Sequence, residues 1–384
     1  MEIEQARRRI AELNHLHAFI SVSDEQGDGQ VVAVKDLIDV RGMVTTAGAV
    51  VLPDTPAVAD APVVTRIRKH GAVVVGKTNL HEFAYGVTSI NPHYGDVLNP
   101  HDPTRVAGGS SGGSAVAVAT GMCDWAIGTD TGGSIRIPAA LCGIVGFKPE
   151  LGSITTEGVI ELSRSLDTVG PMGPDVATVA RAFYEMSGET PVVRTPGWTP
   201  RLGIPAGWAT DLDPDVERAW RQVAKGVDIV EFVDRMPLFR KGLTILMVEA
   251  YAYHAKRFRE HPDKYGADVA EHLRNGAKIS PRDYGQAIGT AAMLRSRTRE
   301  AMRDLDALLL PATAIVAPPT TSGNEVREPL ARYTRPFNMS GQPVVVLPAP
   351  VREGLPVGIQ VIGRDNATAI AAAAWLERRW RDGA

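Results

Sequence analysis

A serine set behind two glycines is the first candidate for chemistry. The stretch GTDTGGSIRIP, residues 128–138, places the glycine pair directly before Ser134. Successive glycines allow neighbouring backbone N–H groups to converge and form an anion-binding nest. Such a nest could stabilise the oxyanion formed when the Ser134 hydroxyl attacks a carbonyl carbon. The donors would be the N–H groups of Thr131, Gly132, Gly133 and Ser134. The structural alternative is a glycine turn between strands.

A lysine follows an apolar run in the segment QVVAVKDLIDV, residues 30–40. A lone lysine at such a place usually extends its amine to solvent. If Lys35 is instead buried, the charged form is disfavoured and the pKa falls. The amine could then act as a general base near neutral pH. The segment alone leaves both interpretations open.

A second serine tract, AGGSSGGSA at residues 107–115, contains G-x-S-x-G centred on Ser110 and again on Ser111. A nucleophile elbow needs a hydrophobic strand leading into the turn, whereas the residues before this tract are polar and proline-rich. A free linker is also disfavoured, because a small-residue helix is expected directly afterwards, at 114–123. So many glycines indicate unusual backbone torsions or a close approach of another segment.

Two other motifs fail on their context. GAVVVGKT, residues 71–78, matches a phosphate-binding loop, but its valines favour a strand where the loop should be. His81, His254 and His261 are interpreted as surface residues, and none is favoured as a base. We find no metal-ligand spacing and no cofactor motif, so we expect neither a metal nor a cofactor.

Composition restricts the class of protein. The 384 residues are 44% hydrophobic and 22% charged, with a net charge of −3. This balance gives no electrostatic reason to expect nucleic acid or a membrane as partner. Cys123 and Cys142 are expected to be buried thiols, and with no signal peptide or apolar span recognised we expect a cytoplasmic protein.

Short apolar strands alternate with helices along the chain. This alternation predicts an α/β fold, with a mixed central sheet covered by helices on both faces. Strands are expected from both ends of the chain, which favours one large domain over residues 1–384. Its core would span about 25–190 and 305–384, with a variable helical region at about 195–305. A long helical block is expected at 240–306, with a break near Pro281.

The Lys35 strand, GGSSGGSA and GTDTGGSIRIPAALCGIVGFKP together resemble the amidase signature family. The resemblance covers most of the chain. It extends to GAVVVGKTNLHEFAYG, LDTVGPMGP, FNMSGQPVVVLPAP and GLPVGIQVIG. The Gly/Ser block is highly specific to this family.

The resemblance implies a Ser–Ser–Lys triad. Lys35 would be the base, Ser110 the bridging serine after a cis peptide bond, and Ser134 the nucleophile. It further implies an ion pair between Asp130 and Arg136 that fixes the loop. The backbone of Ala84 would line the acyl pocket, and Gly109 and Ser111 would support the bridging serine.

The implied activity is hydrolysis of the C–N bond of a small carboxylic amide, without cofactor, through an acyl-enzyme. The chain is short for the family between residues 195 and 330 and lacks a membrane anchor, so a fatty-amide substrate is not expected. The alternative is the glutaminase subunit of a tRNA-dependent amidotransferase, which shares the triad. A catalytically silent binding protein is disfavoured because all three triad positions are intact. We expect a small-molecule amide as partner and leave a homodimer open.

Overall fold

The computed structural model describes residues 1–192, 194–195, 197–351 and 353–382. Its centre is an eleven-stranded sheet in the order β1-β3-β2-β4-β6-β5-β10-β11-β9-β7-β8. The strands are β1 Phe19–Val22, β2 Val31–Lys35, β3 Val73–Thr78, β4 Trp125–Asp130, β5 Val145–Lys148, β6 Thr168–Gly173, β7 Leu202–Pro205, β8 Asp228–Val230, β9 Ala307–Pro311, β10 Val344–Pro348 and β11 Gly358–Gly363.

The sheet is mixed. β2 runs parallel to both β3 and β4, and β7 runs parallel to β8 and β9. The strands between these two groups pair antiparallel. Because β2 and β4 are parallel neighbours, their carboxyl ends lie at the same edge, where residues after both strands can meet.

Helices cover both faces of the sheet. They are α1 Ile3–Glu12, α2 Pro62–Lys69, α3 Gly112–Ala119, α4 Arg136–Cys142, α5 Val176–Ser187, α6 Pro214–Ala224, α7 Arg235–Glu260, α8 Ala267–Gly276, α9 Pro281–Ala301, α10 Arg327–Ala331, α11 Arg335–Ser340 and α12 Asn366–Arg381. The predicted fold class, an α/β protein built on one mixed sheet with helices on both sides, is confirmed.

The two faces can be read from alternate residues of β2. Val32 and Val34 join the core that includes α2, α5 and α12, whereas Val31 and Ala33 join the core that includes α1, α3 and α4. This alternation is the period of two expected of a strand buried on both sides. Lys35 continues the series of Val31 and Ala33, so it belongs to the α3 side.

Several expected elements differ in extent. The block at 240–306 is three helices, α7, α8 and α9, with the expected break at Pro281 and a further one at 261–266. Ser280 caps α9 by accepting the N–H of Asp283 at 3.1 Å. The sequence patterns do not predict the strands β1, β6, β7 and β8, nor the helices α10 and α11. They also miss α4, whose sequence continues the glycine turn. No helix within the described residues is long and apolar enough to cross a membrane.

Candidate functional site

The amine of Lys35 lies at the carboxyl end of β2 and is fully buried. Three hydroxyl oxygens surround its Nζ: Ser110 Oγ at 2.7 Å, Thr129 Oγ1 at 2.8 Å and Ser111 Oγ at 2.9 Å. No carboxylate within the described part of the chain forms an ion pair with it. The surface-lysine interpretation is therefore wrong, and the amine faces a cage of hydroxyl groups.

Burial lowers the pKa of Lys35 to about 7, because the charged amine loses its hydration. The carboxylates of Asp130 and Asp167 oppose this shift through their charge, but they do not cancel it. A substantial fraction of the amine is consequently neutral at neutral pH. A neutral amine has a lone pair that can accept a proton.

The two neighbouring serines are held by the turn that begins α3. The peptide bond between Gly109 and Ser110 is cis. The Ser110 carbonyl accepts hydrogen bonds from Ser89 Oγ at 3.1 Å and from the N–H of His81 at 3.2 Å. A Cβ on Gly109 would lie only 2.7 Å from the backbone nitrogen of Ser89, so only glycine fits this close approach.

Ser134 reaches the same place from the carboxyl end of β4. Its carbonyl accepts the N–H of Ser111 at 3.1 Å, which ties the two serine-bearing segments together. No hydrogen bond joins the Ser134 and Ser110 hydroxyls among the described residues. Catalytic hydrogen bonds in unliganded enzymes are often long and tighten only when substrate binds.

Asp130 and Arg136 form a fully buried ion pair below the Ser134 loop, with Arg136 NH2 2.9 Å from Asp130 Oδ1. The carboxylate also accepts the side-chain amide of Asn338 at 2.7 Å. Burial alone would raise the pKa of Asp130, but the charge and hydrogen bonds of Arg136 hold it below its usual range. The carboxylate is therefore ionised and can organise the backbone around it.

One predicted oxyanion donor is already in use. The N–H of Gly133 donates to Asp130 Oδ1 at 2.9 Å, so it is not free to bind an oxyanion. The prediction that four consecutive N–H groups converge is wrong at this position, because the carboxylate folds the loop by binding its middle residue. Thr131, Gly132 and Ser134 keep candidate N–H donors.

Thr131 is positioned by a carboxylate that sequence reasoning missed. Its hydroxyl donates to Asp167 Oδ1 at 2.5 Å. Burial raises the pKa of Asp167 to about 6, although the hydrogen bonds from Thr131, Leu162 and Ser163 oppose the rise. Ala84, whose φ is +58°, lines the same small internal cavity as Thr131 and Asp167. The backbone of Ala84 thus lies close to the loop that precedes Ser134.

Two histidines were wrongly assigned to the surface. His81 is 4% exposed and its Nε2 pairs with Asp268 Oδ2 at 2.7 Å. His254 is fully buried between Phe83 and Tyr265, and burial lowers its pKa to about 3. Their aromatic and acidic partners come from distant segments, so the local sequence carried no signal of burial. Neither of these two rings hydrogen-bonds to Lys35, Ser110 or Ser134. The third histidine, His261, is exposed as predicted.

Thr129 and Asn338 are the other functional candidates that sequence reasoning missed. Thr129 stands in β4 one residue before Asp130 and contacts the Lys35 amine. Asn338 lies within FNMSGQPVVVLPAP, a segment already associated with the family, and that association is the signal that could have identified it. Both thiols, Cys123 and Cys142, are buried as predicted.

Comparison with known proteins gives a consistent result. Residues 2–368 match the family model described as Amidase. The chain is 36% identical to a glutamyl-tRNA(Gln) amidotransferase subunit from Chloroflexus aurantiacus, over 89% of this chain and 80% of that protein. It is 34% identical to AtzE, a 1-carboxybiuret hydrolase subunit from Pseudomonas sp. strain ADP, over 87% of this chain and 80% of that protein.

The fold also matches a solved structure. A protein whose crystal structure is described as that of an amidase superposes with a TM-score of 0.92 and is 34% identical. The match covers 98% of this chain and 95% of the other. The similarity therefore includes the helical region at 195–305 as well as the sheet.

Proposed function

Since this chain belongs to the amidase signature family and is an amide hydrolase, we propose that it cleaves a small carboxylic amide through an acyl-enzyme on Ser134. The products would be a carboxylic acid and ammonia or an amine. The observation that carries the proposal is the buried Lys35 amine, 2.7 Å from Ser110 Oγ, with a pKa of about 7. Such an amine can take up a proton at neutral pH without a histidine.

The hydrogen-bond pattern supports Ser110 as the proton donor to Lys35. A neutral amine has two protons and one lone pair. Ser111 Oγ donates to the carbonyl of Thr129 at 3.2 Å, so towards Lys35 it accepts. Thr129 Oγ1 can accept the second amine proton. The lone pair is then left for the Ser110 hydroxyl.

The reaction begins when Ser134 Oγ attacks the amide carbon. Its proton passes to Ser110, whose own proton moves to Lys35. The N–H groups of Thr131, Gly132 and Ser134 surround the space for the oxyanion. As the C–N bond breaks, the relay returns a proton to the leaving nitrogen. Water, activated along the same relay, then attacks the ester carbon and releases the acid and the Ser134 hydroxyl.

The experiment that tests the proposal is amide hydrolysis by the purified chain. Aliphatic, aromatic and amino-acid amides would be supplied, and ammonia or amine release would be measured beside the Ser134→Ala variant. We expect turnover of at least one amide by the wild type and none by the variant. Equal activity in both proteins would contradict the acyl-enzyme on Ser134.

The second candidate is the glutaminase subunit of a tRNA-dependent amidotransferase. Its support is the 36% identity to a glutamyl-tRNA(Gln) amidotransferase subunit. Ammonia release from glutamine that requires added partner subunits would favour this candidate. Hydrolysis by the isolated chain would favour the independent amidase.

A further inference from the structure

We propose, building on the proposed amidase function, that Arg335 binds a carboxylate of the substrate, so that the preferred substrates are mono-amides of dicarboxylic acids. Arg335 is the first residue of α11, the helix that also carries Asn338. Nothing in the relay from Lys35 to Ser134 uses it.

The guanidinium of Arg335 lies against the oxyanion loop. A Cβ placed on Gly132 would be 3.4 Å from Arg335 Nε and 4.0 Å from one of its terminal nitrogens. The preceding residue, Thr334, donates its hydroxyl to the Gly132 carbonyl at 2.7 Å and fixes this approach. Gly132 carries one of the candidate oxyanion donors, so this charge lies beside the loop that would bind the amide carbonyl.

Arg335 has no acidic partner among the described residues. Its Nε is closed off from solvent without a hydrogen-bond acceptor, and no described carboxylate forms an ion pair with it. Glu328, a nearby acid, already binds Arg332 through both of its oxygens. The Arg335 side chain is only partly exposed to solvent, so a guanidinium group without a counter-ion is costly there, and a substrate carboxylate would supply two acceptors in matching geometry.

An aromatic ring and a second arginine lie beside the Arg335 guanidinium group. Its guanidinium carbon lies 4.5 Å from the centroid of the Phe239 ring, which is within the range of a cation–π contact. Arg327 donates to the Tyr85 carbonyl at 3.2 Å and contacts His272, and it too forms no ion pair within the described part of the chain. Burial, with the like charge of Arg327, lowers the pKa of Arg335 to about 10, which still leaves the group charged at neutral pH.

Tyr85 provides a second, independent sign of a missing ligand. Its hydroxyl is buried without any hydrogen-bond partner among the described residues. Burial raises the pKa of Tyr85 above its usual range, so the hydroxyl keeps its proton and can donate. Tyr85 directly follows Ala84, which lines a cavity with Thr131. An anion beside Arg335 would therefore satisfy two orphaned donors, which a neutral alkyl group would leave unpaired.

The test compares charged and uncharged amides of similar length. Wild type and Arg335→Met would be assayed with the mono-amides of malonic, succinic and glutaric acids and with butyramide and pentanamide. We expect the wild type to prefer one of the mono-amides. Arg335→Met should lower kcat/KM for that substrate by about 10- to 100-fold, the usual range for a lost charge-assisted hydrogen bond, and change butyramide hydrolysis less than threefold.

A control variant and a binding measurement distinguish loss of the Arg335 charge from a general effect on turnover. Arg240→Met removes an exposed cation beside Phe239 and should leave the preference unchanged. In Ser134→Ala, calorimetry should detect binding of the preferred mono-amide, and adding Arg335→Met should abolish it. This readout does not depend on turnover.

Several outcomes would overturn the carboxylate site. The first is a wild-type preference for the uncharged amides. The second is an equal loss of kcat/KM on both substrate classes in Arg335→Met, which would assign Arg335 to binding of the oxyanion. The third is a preference for a carboxylate on the amine side of the bond, as in N-acetylglycine. If the proposed function itself were wrong, the wild type would hydrolyse neither charged nor uncharged amides. Hydrolysis without charge preference would instead contradict only the carboxylate site.

Discussion

Lys35 Nζ and Ser110 Oγ lie 2.7 Å apart, although 75 positions separate them in the chain. The lysine ends β2, and the serine lies in the turn before α3, which packs on the same face. Neither group is solvated, so burial lowers the pKa of Lys35, against the opposing charges of Asp130 and Asp167.

Activity should follow the neutral form of Lys35. Because burial lowers the pKa of Lys35 to about 7, the amine loses its proton as the pH rises through neutrality. We expect kcat/KM to increase with pH below about 7 and to level off above it. A pH–rate profile on an uncharged amide would measure this limb. Lys35→Met should lower kcat/KM by about 10²–10⁴-fold and remove the rising limb of the profile. If the limb persisted in that variant, it would have to come from the titration of another group.

The two serines should differ in covalent labelling. Ser134→Ala removes the proposed nucleophile, so no adduct with a fluorophosphonate should form. Ser110→Ala should react slowly but still at Ser134, with amide turnover reduced by about 10²–10⁴-fold. Intact mass and peptide mapping would locate the adduct. An adduct on Ser110 or Ser111 in the wild type would reverse the assignment.

Ser111 should act through Lys35 and not on the substrate. Its hydroxyl oxygen lies 2.9 Å from the Lys35 amine. A hydrogen bond that the charged amine donates stabilises the charged form and so raises the pKa of Lys35. We expect Ser111→Ala to move the limb of the pH–rate profile to lower pH and to reduce the plateau about tenfold, the effect of one hydrogen bond. A lower plateau with an unmoved limb would indicate a merely structural role.

Loss of the Asp130–Arg136 pair should destabilise the fold. Asp130→Asn leaves a buried guanidinium without its counter-ion, which typically costs about 3–5 kcal/mol in the free energy of unfolding. Glu217→Gln, in an exposed pair with Arg221, should cost at most about 1 kcal/mol. Urea unfolding would measure both, and equal effects would contradict the buried role.

The same pair has a defined pH dependence. The native pKa of Asp130 lies below its ordinary value of 3.8, so the unfolded chain binds the proton more readily. Its stabilisation is therefore present above about pH 3.8 and is lost as the pH falls towards the native pKa. Asp130→Asn should flatten this part of the stability profile in urea titrations between about pH 2 and 5.

Gly133 should tolerate no side chain. Its φ is +130°, and a Cβ there would overlap the hydroxyl of Thr334. Gly133→Ala should lower the free energy of unfolding by about 2–4 kcal/mol, from backbone strain and overpacking. Gly285→Ala, in α9 with open space around it, is the control and should be neutral or stabilising by about 1 kcal/mol. Equal stabilities of the two variants would contradict this prediction.

Local sequence patterns were sufficient to predict the α/β class and the serines and lysine to examine. The run of valines in β2 and the glycines around Ser110 and Ser134 restrict the backbone locally, and local restrictions are what such patterns record. The Gly/Ser block also carried the family resemblance. The strands β1, β6, β7 and β8 were not predicted, because each is very short or is interrupted by glycine and proline.

Only the tertiary structure decided which groups meet. Lys35 could have extended to solvent, and its burial follows from the packing of α3 onto β2. Asp130 binds the Gly133 N–H because of the way one loop turns. Arg335 lies beside Gly132 although about 200 residues separate the two in the chain. Contacts of this kind arise from packing across the sheet edge, and desolvation there sets the charge of each group. The spacing of residues along the chain shows neither this packing nor this desolvation.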